Sequence, residues 1–193
     1  MQYFSHISHE LLELAKPIRV LVTDLDGVLT DGSIILDDNG MEYKSFQVKD
    51  GQILHYLREA KIQVGVLSGR DVAVSKKRCE QMNVDFHRHG LKDKWGALSE
   101  ILSEKGIQTA EVAYIGDDLI DLDLLRRVGF SAAPSDAMPY ILDNVHYVCK
   151  KQGGKGVFRE VADLILYAQG KLPDLLYGRS AAGAVGTNPT NDE

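Results

Sequence analysis

Cysteine is scarce in this chain: Cys79 and Cys149 are the only two among 193 residues. They lie far apart and lack Cys-x-x-Cys spacing, which predicts reduced, buried small hydrophobes of a cytosolic protein rather than covalent staples. No apolar run approaches the ~20 residues needed to span a bilayer. The N-terminal stretch MQYFSHISHELLELAKP has no basic start followed by an apolar run, so no secretory signal and a cytoplasmic location are expected. Excess positive charge is missing too. Twenty-two Lys and Arg against 28 Asp and Glu give a net charge of −6, which argues against non-specific binding to nucleic acid or an anionic membrane. An anionic substrate must therefore meet a local positive site. No internal repeat is present.

What the chain does have is enough length for one core. At this size a domain buries roughly 70% of the surface its unfolded form exposes, and 44% hydrophobic with 26% charged residues is an ordinary globular balance. Short apolar runs at 18–24, 62–69, 84–90, 111–118 and 129–136, with a further candidate at 145–150, each read as strands. Between them, 52–60, 71–82, 94–105, 119–128 and 157–169 carry apolar residues at helical spacing. This alternation predicts an α/β fold, a Rossmann-like parallel sheet with helices on both faces. Residues 1–17 read as an N-terminal helical extension and 18–170 as the domain. Residues 171–193 read as a tail, mobile beyond Gly178. One segment breaks the alternation: SIILDDNGMEYKSFQV (33–48) reads as a β-hairpin around Asp38-Asn39-Gly40. It is either a flap over the strand ends or an extension of the sheet.

Ligands of such sheets bind beyond the carboxyl ends of the strands, and the polar clusters fall there. The first strand ends in DLDGVLTDG, with Asp24 and Asp26 so close that they must repel unless a cation neutralises them or one keeps a proton. Oxygen-only donors at this charge density favour Mg²⁺. GDDLID (116–121) adds Asp117 and Asp118 at another strand end, with Asp121 either a further acid or a cap on helix amides. Ser68-Gly69-Arg70 ends the second apolar run ahead of a helix, where a hydroxyl and amides suit a phosphate, although a helix cap also uses serine. Lys94, or its neighbour Lys92, could put one positive charge on a phosphoryl oxygen. His55, His87 and His89 read as core or surface histidines rather than ligands of an oxygen-preferring ion.

In this order and spacing, DLDGVLT (24–30), LSGR (67–70), Lys94 and GDDLID (116–121) resemble the four motifs of the haloacid dehalogenase superfamily. Within it, SFQVKDGQ and GGKGVFREVADLILYAQGK are similar to capless phosphatases of an eight-carbon keto-acid sugar phosphate used in bacterial lipopolysaccharide. The resemblance implies Asp24 as nucleophile and Asp26 as general acid, then base. Mg²⁺ would be held by Asp24, the Asp26 carbonyl and Asp117, with Asp118 and Asp121 in the outer shell. Ser68 and Lys94 would grip the phosphoryl group, with Gly69, Arg70, Gly153, Gly154, Lys155 and Gly156 on the sugar. It also implies a homotetramer in which hairpins, carrying Ile34, Ile35, Phe46 and Val48, pack across subunits and complete each site. Three rivals remain open at this stage: a phosphatase for a nine-carbon sugar phosphate, a phospho-receiver module, and a non-catalytic binding domain.

Overall fold

The computed structural model describes Phe4 and residues 6–177. Six parallel strands form one sheet: β1 (Val20–Thr23), β4 (Gln63–Leu67), β5 (Phe86–Arg88), β6 (Val112–Ile115), β7 (Phe130–Ala133) and β8 (Tyr147–Val148), in the order β5-β4-β1-β6-β7-β8. β1, β6 and β7 are buried at every position. That is why they read as unbroken apolar runs: side chains on both faces meet helices. The chain builds outward from β1 to β5, then returns to the other side of β1 and builds out to β8. β1 thus stands where the strand order reverses, with Thr23 beside Val66 on one side and Ile115 on the other. The crevice at such a reversal is where an open α/β sheet binds ligands.

Helices α1 (His9–Ala15), α2 (Val48–Glu59), α3 (Ala73–Met82), α7 (Val157–Ala168) and α8 (Lys171–Tyr177) lie on one face, around Leu21, Ile53, Leu54, Phe158 and Ile165. Helices α4 (Lys94–Lys105), α5 (Leu122–Leu125) and α6 (Pro139–Leu142) cover the other, around Val22, Leu98, Tyr114 and Leu124. Local chemistry sets their ends. Asp93 Oδ1 accepts from the Gly96 amide at 2.8 Å to start α4, and Gly106, with φ of 62°, stops it.

The hairpin forms as β2 (Ile35–Leu36) antiparallel to β3 (Glu42–Tyr43), apart from the main sheet. It is shorter than 33–48, because α2 begins at Val48 and takes over its last expected residue. The 119–128 helix is also interrupted: a 3₁₀ turn at Leu119–Asp121 precedes a one-turn α5. Asp121 is pinned there by the amides of Asp117 and Asp118. Residues 171–177, read from sequence as aperiodic tail, form α8 and bury Leu172 in the core. The expected mobility beyond Gly178 lies outside the described residues.

Candidate active site

Asp24 follows β1 directly and stays registered with the sheet, its amide donating to Ile115 O at 2.8 Å. Its side chain is nearly buried and would be expensive as a lone charge. Lys94, at the start of α4 and itself buried, answers that charge: Nζ lies 2.6 Å from Asp24 Oδ1 and 2.6 Å from Asp121 Oδ1. Tyr114, from the middle of β6, donates to Asp121 Oδ1 at 2.5 Å. Asp121 Oδ2 accepts the amides of Asp117 and Asp118 at 3.1 and 3.3 Å. Both oxygens of Asp121 are therefore paired within the protein. It anchors the lysine and the strand-end loop beside the carboxylates of Asp24 and Asp117.

Burial pulls on Lys94 in the direction of losing its proton, but Asp24 and Asp121 more than offset it and hold the ammonium above its ordinary range. Desolvation pushes Asp24 up to about 6, against the pull of Lys94. Asp117 is pushed up to about 8 by burial, with Asp24 and Asp121 adding like-charge repulsion. One lysine does not neutralise these carboxylates.

Donor oxygens of Asp24, Asp117 and Asp121 lie within 4.8 Å of one another. Asp117 Oδ1 and Asp26 Oδ2 are buried with no hydrogen-bond partner. Hard oxygen donors with orphaned lone pairs and surplus negative charge fit an oxygen-preferring divalent cation such as Mg²⁺. Gly27 shows how tightly this corner is drawn: its φ is 97°, and a Cβ there would stand 2.1 Å from Asp117 Oδ2.

Asp26 belongs to a different network, reached through the hairpin. Lys44 Nζ pairs with Asp26 Oδ1, and at 3.2 Å with Glu42 Oε1. Glu42 in turn takes both guanidinium nitrogens of Arg70 at 2.7 Å each. Without substrate, Glu42 occupies the fork that the sequence reading assigned to a substrate carboxylate. The hairpin is therefore a flap joined by charge to the strand ends.

Ser68 is buried one residue beyond β4, its hydroxyl donating to Arg70 O and accepting from Arg70 N. It does not open a helix: α3 starts five residues later, with Val72 as its N-cap, and Gly69 is exposed between them. Lys92 is exposed and Lys94 buried, so geometry favours Lys94 for the charge beside Asp24.

The glycine-rich stretch has a structural task that the sequence reading did not foresee. A Cβ on Gly153 would lie 2.1 Å from Gly27 O, and the Gly154 amide donates to Val28 O at 2.9 Å. The two glycines clamp the loop after Asp26 and leave no room for a sugar at their own backbone. Gly156 is the N-cap of α7 with φ of 97°, and Lys155 is exposed, its charge felt by Asp31. Asp118 is exposed, accepting from Tyr140 at 2.9 Å and from the Leu119 amide at 2.7 Å.

Sequence reasoning missed Tyr114, Glu42 and Lys44. A tyrosine in an otherwise dry strand was a signal, since its hydroxyl needs a partner. The alternation of Glu42 and Lys44 with exposed Met41 and Tyr43 was another.

A buried aspartate at the end of the central strand, a second acid two residues on, a buried lysine and a further acidic strand end are the features of a haloacid dehalogenase-like hydrolase. The family of that description matches residues 89–161. The 3-deoxy-D-manno-octulosonate 8-phosphate phosphatase KdsC of Escherichia coli BL21 is 38% identical over 171 residues, 89% of this chain and 91% of the relative. The solved phosphatase of the same description from Yersinia pestis superposes with a TM-score of 0.84 at 40% identity, covering 86% of this chain and 90% of that one. The enzyme from Moraxella catarrhalis, solved with magnesium, phosphate and KDO, gives 0.84 at 35% identity, covering 86% and 96%. The chain belongs to the 3-deoxy-D-manno-octulosonate 8-phosphate phosphatase family.

Proposed function

We propose that the protein hydrolyses 3-deoxy-D-manno-octulosonate 8-phosphate to the free sugar acid and phosphate through a phosphoaspartate on Asp24. The observation that carries this is the convergence of Asp24, Lys94 and the orphaned Asp117 oxygen at the strand-order reversal. Mg²⁺, bound by Asp24, the Asp26 carbonyl and Asp117, would supply charge neutralisation that lets two anions, carboxylate and phosphate, approach.

The chain's own residues do the rest. Asp24 attacks phosphorus, forming the Asp24–O–P bond as the bond to the sugar O8 breaks, and Asp26 gives its proton to that oxygen. The Asp26 carboxylate then takes a proton from a water that attacks the phosphoaspartate, releasing phosphate and restoring Asp24. Lys94 stabilises the equatorial oxygens and keeps Asp24 aligned, and the Ser68 hydroxyl contributes a further donor. Lys44 pairs with Oδ1 of Asp26 and leaves Oδ2 without a partner, the oxygen we assign to proton transfer. Asp118, exposed beside Tyr140 and next to Asp117, would serve as an outer acid of the metal site in this reading. Lys155 is the exposed cation nearest in sequence to the clamp, and we assign it to the substrate's anionic end.

The active assembly in this reading is a homotetramer in the cytoplasm. Ile34, Ile35, Leu36 and Met41 on the hairpin are each more than half exposed, an apolar patch that another hairpin would cover. Phe46 is not part of it: it packs on the chain's own core beneath Arg78. Two free buried cysteines suit a reducing compartment. Among the described residues no helix is long and apolar enough to cross a membrane. The test is phosphate release from eight- and nine-carbon keto-acid sugar phosphates, with the mass measured in solution. Faster turnover of the eight-carbon substrate by a tetramer is expected. Preference for the nine-carbon substrate would overturn the substrate assignment, and a fully active monomer the assembly.

A further inference from the structure

β5 is the edge strand of the sheet, and its two faces differ. Phe86 points into the core beneath α4. Strand alternation turns His87 and His89 together to the opposite face, where α3 lies. There they meet Cys79, which is 1% exposed and sits on the second turn of α3. One donor atom from each of Cys79, His87 and His89 lies within 4.8 Å of the other two. The imidazoles face each other edge on, with His87 Nδ1 2.9 Å from His89 Nε2. Two ring nitrogens that close can share one proton or one cation, but they repel once both are protonated. His89 Nδ1 is buried with no partner, so the ring is not held by a full set of hydrogen bonds.

We propose that Cys79, His87 and His89 form a second metal site, for Zn²⁺ or an ion of similar softness, that ties the edge strand β5 to α3. The donor set decides the ion. Thiolate and imidazole select zinc-like cations, whereas the all-oxygen cluster around Asp24 suits Mg²⁺, so the two sites sort their metals by ligand chemistry. The spacing is close to what such an ion needs. Tetrahedral zinc with Zn–N of about 2.0–2.1 Å places two nitrogens about 3.3 Å apart, a few tenths of an ångström from the present contact. His87 and His89 are only half-buried, which leaves a route for the ion and a water in the fourth position. Binding displaces one proton: the S–H bond of Cys79 breaks as the S–metal bond forms, and the proton passes to solvent. Without the ion, burial pushes the Cys79 thiol up to about 11, so it stays a neutral hydrophobe.

The probe is Co²⁺ added to chelator-treated full-length protein in excess Mg²⁺, which keeps the carboxylate site filled. A near-ultraviolet thiolate-to-cobalt charge-transfer band is expected, saturating at about one equivalent per chain as in a single tetrahedral site, and bleached by Zn²⁺. Cys79→Ser should abolish the band and His89→Gln should weaken it, while Cys149→Ser and Asp117→Asn retain it. Circular dichroism confirms folding, and the histidine variant carries the test if the serine variant unfolds. Absence of the band in wild type, its persistence in folded Cys79→Ser, or full-strength binding in His89→Gln overturns the site. No readout depends on phosphatase activity, so failure here leaves the proposed reaction untouched.

Discussion

Two charged networks meet at the end of β1, each centred on a buried lysine shared by two carboxylates, and they differ in what anchors them. The Asp24–Lys94–Asp121–Tyr114 cluster is sealed between β1, β6 and α4, with the side chains of Lys94 and Asp121 fully out of solvent. The Asp26–Lys44–Glu42–Arg70 ladder runs along a two-stranded hairpin, and its far member, Arg70, is 39% exposed. In the first network each charge has its partner before substrate arrives, and low dielectric makes the pairing strong and its loss costly. In the second, Lys44 is just as fully out of solvent and Glu42 nearly so, and the ladder opens to water only at its two ends, Asp26 at 21% and Arg70 at 39% exposed, while it ties the end of β1 to the hairpin. The difference lies in anchorage: the first cluster is held entirely by elements of the main sheet and its covering helix, whereas the second ties the strand end to a separate two-stranded hairpin.

The hardest blow to the sealed network is Asp24→Asn. It keeps the shape but removes the nucleophile, and kcat should fall at least about 10⁴-fold. Steady-state phosphate release, with circular dichroism to confirm the fold, measures this, and substantial residual turnover would remove the covalent step. Lys94→Met comes next, because it strands Asp24 and Asp121 without their cation. A stability loss of about 3–5 kcal/mol is expected from urea unfolding, and a loss below about 1 kcal/mol would mean that the cluster is less sealed than its burial indicates.

Asp50 sharpens the comparison, since it is a buried carboxylate with no lysine of its own. Oδ1 accepts the Arg159 amide at 2.9 Å and Oδ2 is unpartnered. Burial pushes it up to about 6 from an ordinary 3.8, against that hydrogen bond and the charges of Arg78 and Arg159. Because the folded value lies above the unfolded one, the stabilisation is complete below about pH 4 and is lost as pH rises through about 6, up to about 3 kcal/mol. Asp50→Asn should flatten unfolding free energy against pH in that window. An unchanged slope would assign it to other groups.

The smallest effect is expected on the ladder. Lys44→Ala should lower kcat/KM about tenfold, with a fall in melting temperature smaller than that of Lys94→Met, because Glu42 keeps Arg70 as a partner. A drop as deep as that of Asp24→Asn would make the flap part of the sealed chemistry after all.

Much of this arrangement was legible in the chain. Alternating apolar runs and helical patterns announced the parallel sheet because strands buried on both faces must be apolar throughout. Asp24 and Asp117 stood out for the converse reason, as charges closing apolar runs, whereas Lys94, which opens a helix, stood out from Lys92 only through the family resemblance. The hairpin's turn was visible in Asp38-Asn39-Gly40, but its length was not, since α2 competes for Val48. Arg70 and the 153–156 glycines were assigned to substrate because spacing cannot reveal that Glu42 takes the guanidinium or that Gly27 sits against Gly153.

The sequence by itself determined the class of fold, the strand ends that carry chemistry and the residue types an oxygen-preferring cation requires, because periodicity and local composition are properties of neighbours along the chain. Only the tertiary structure decided that Asp121 and Tyr114 hold Lys94, that Lys44 reaches Asp26, and that Cys79 faces His87 and His89. Each of those contacts joins separate elements across the fold. Their geometry comes from how helices seat on a twisted sheet, which no local pattern encodes.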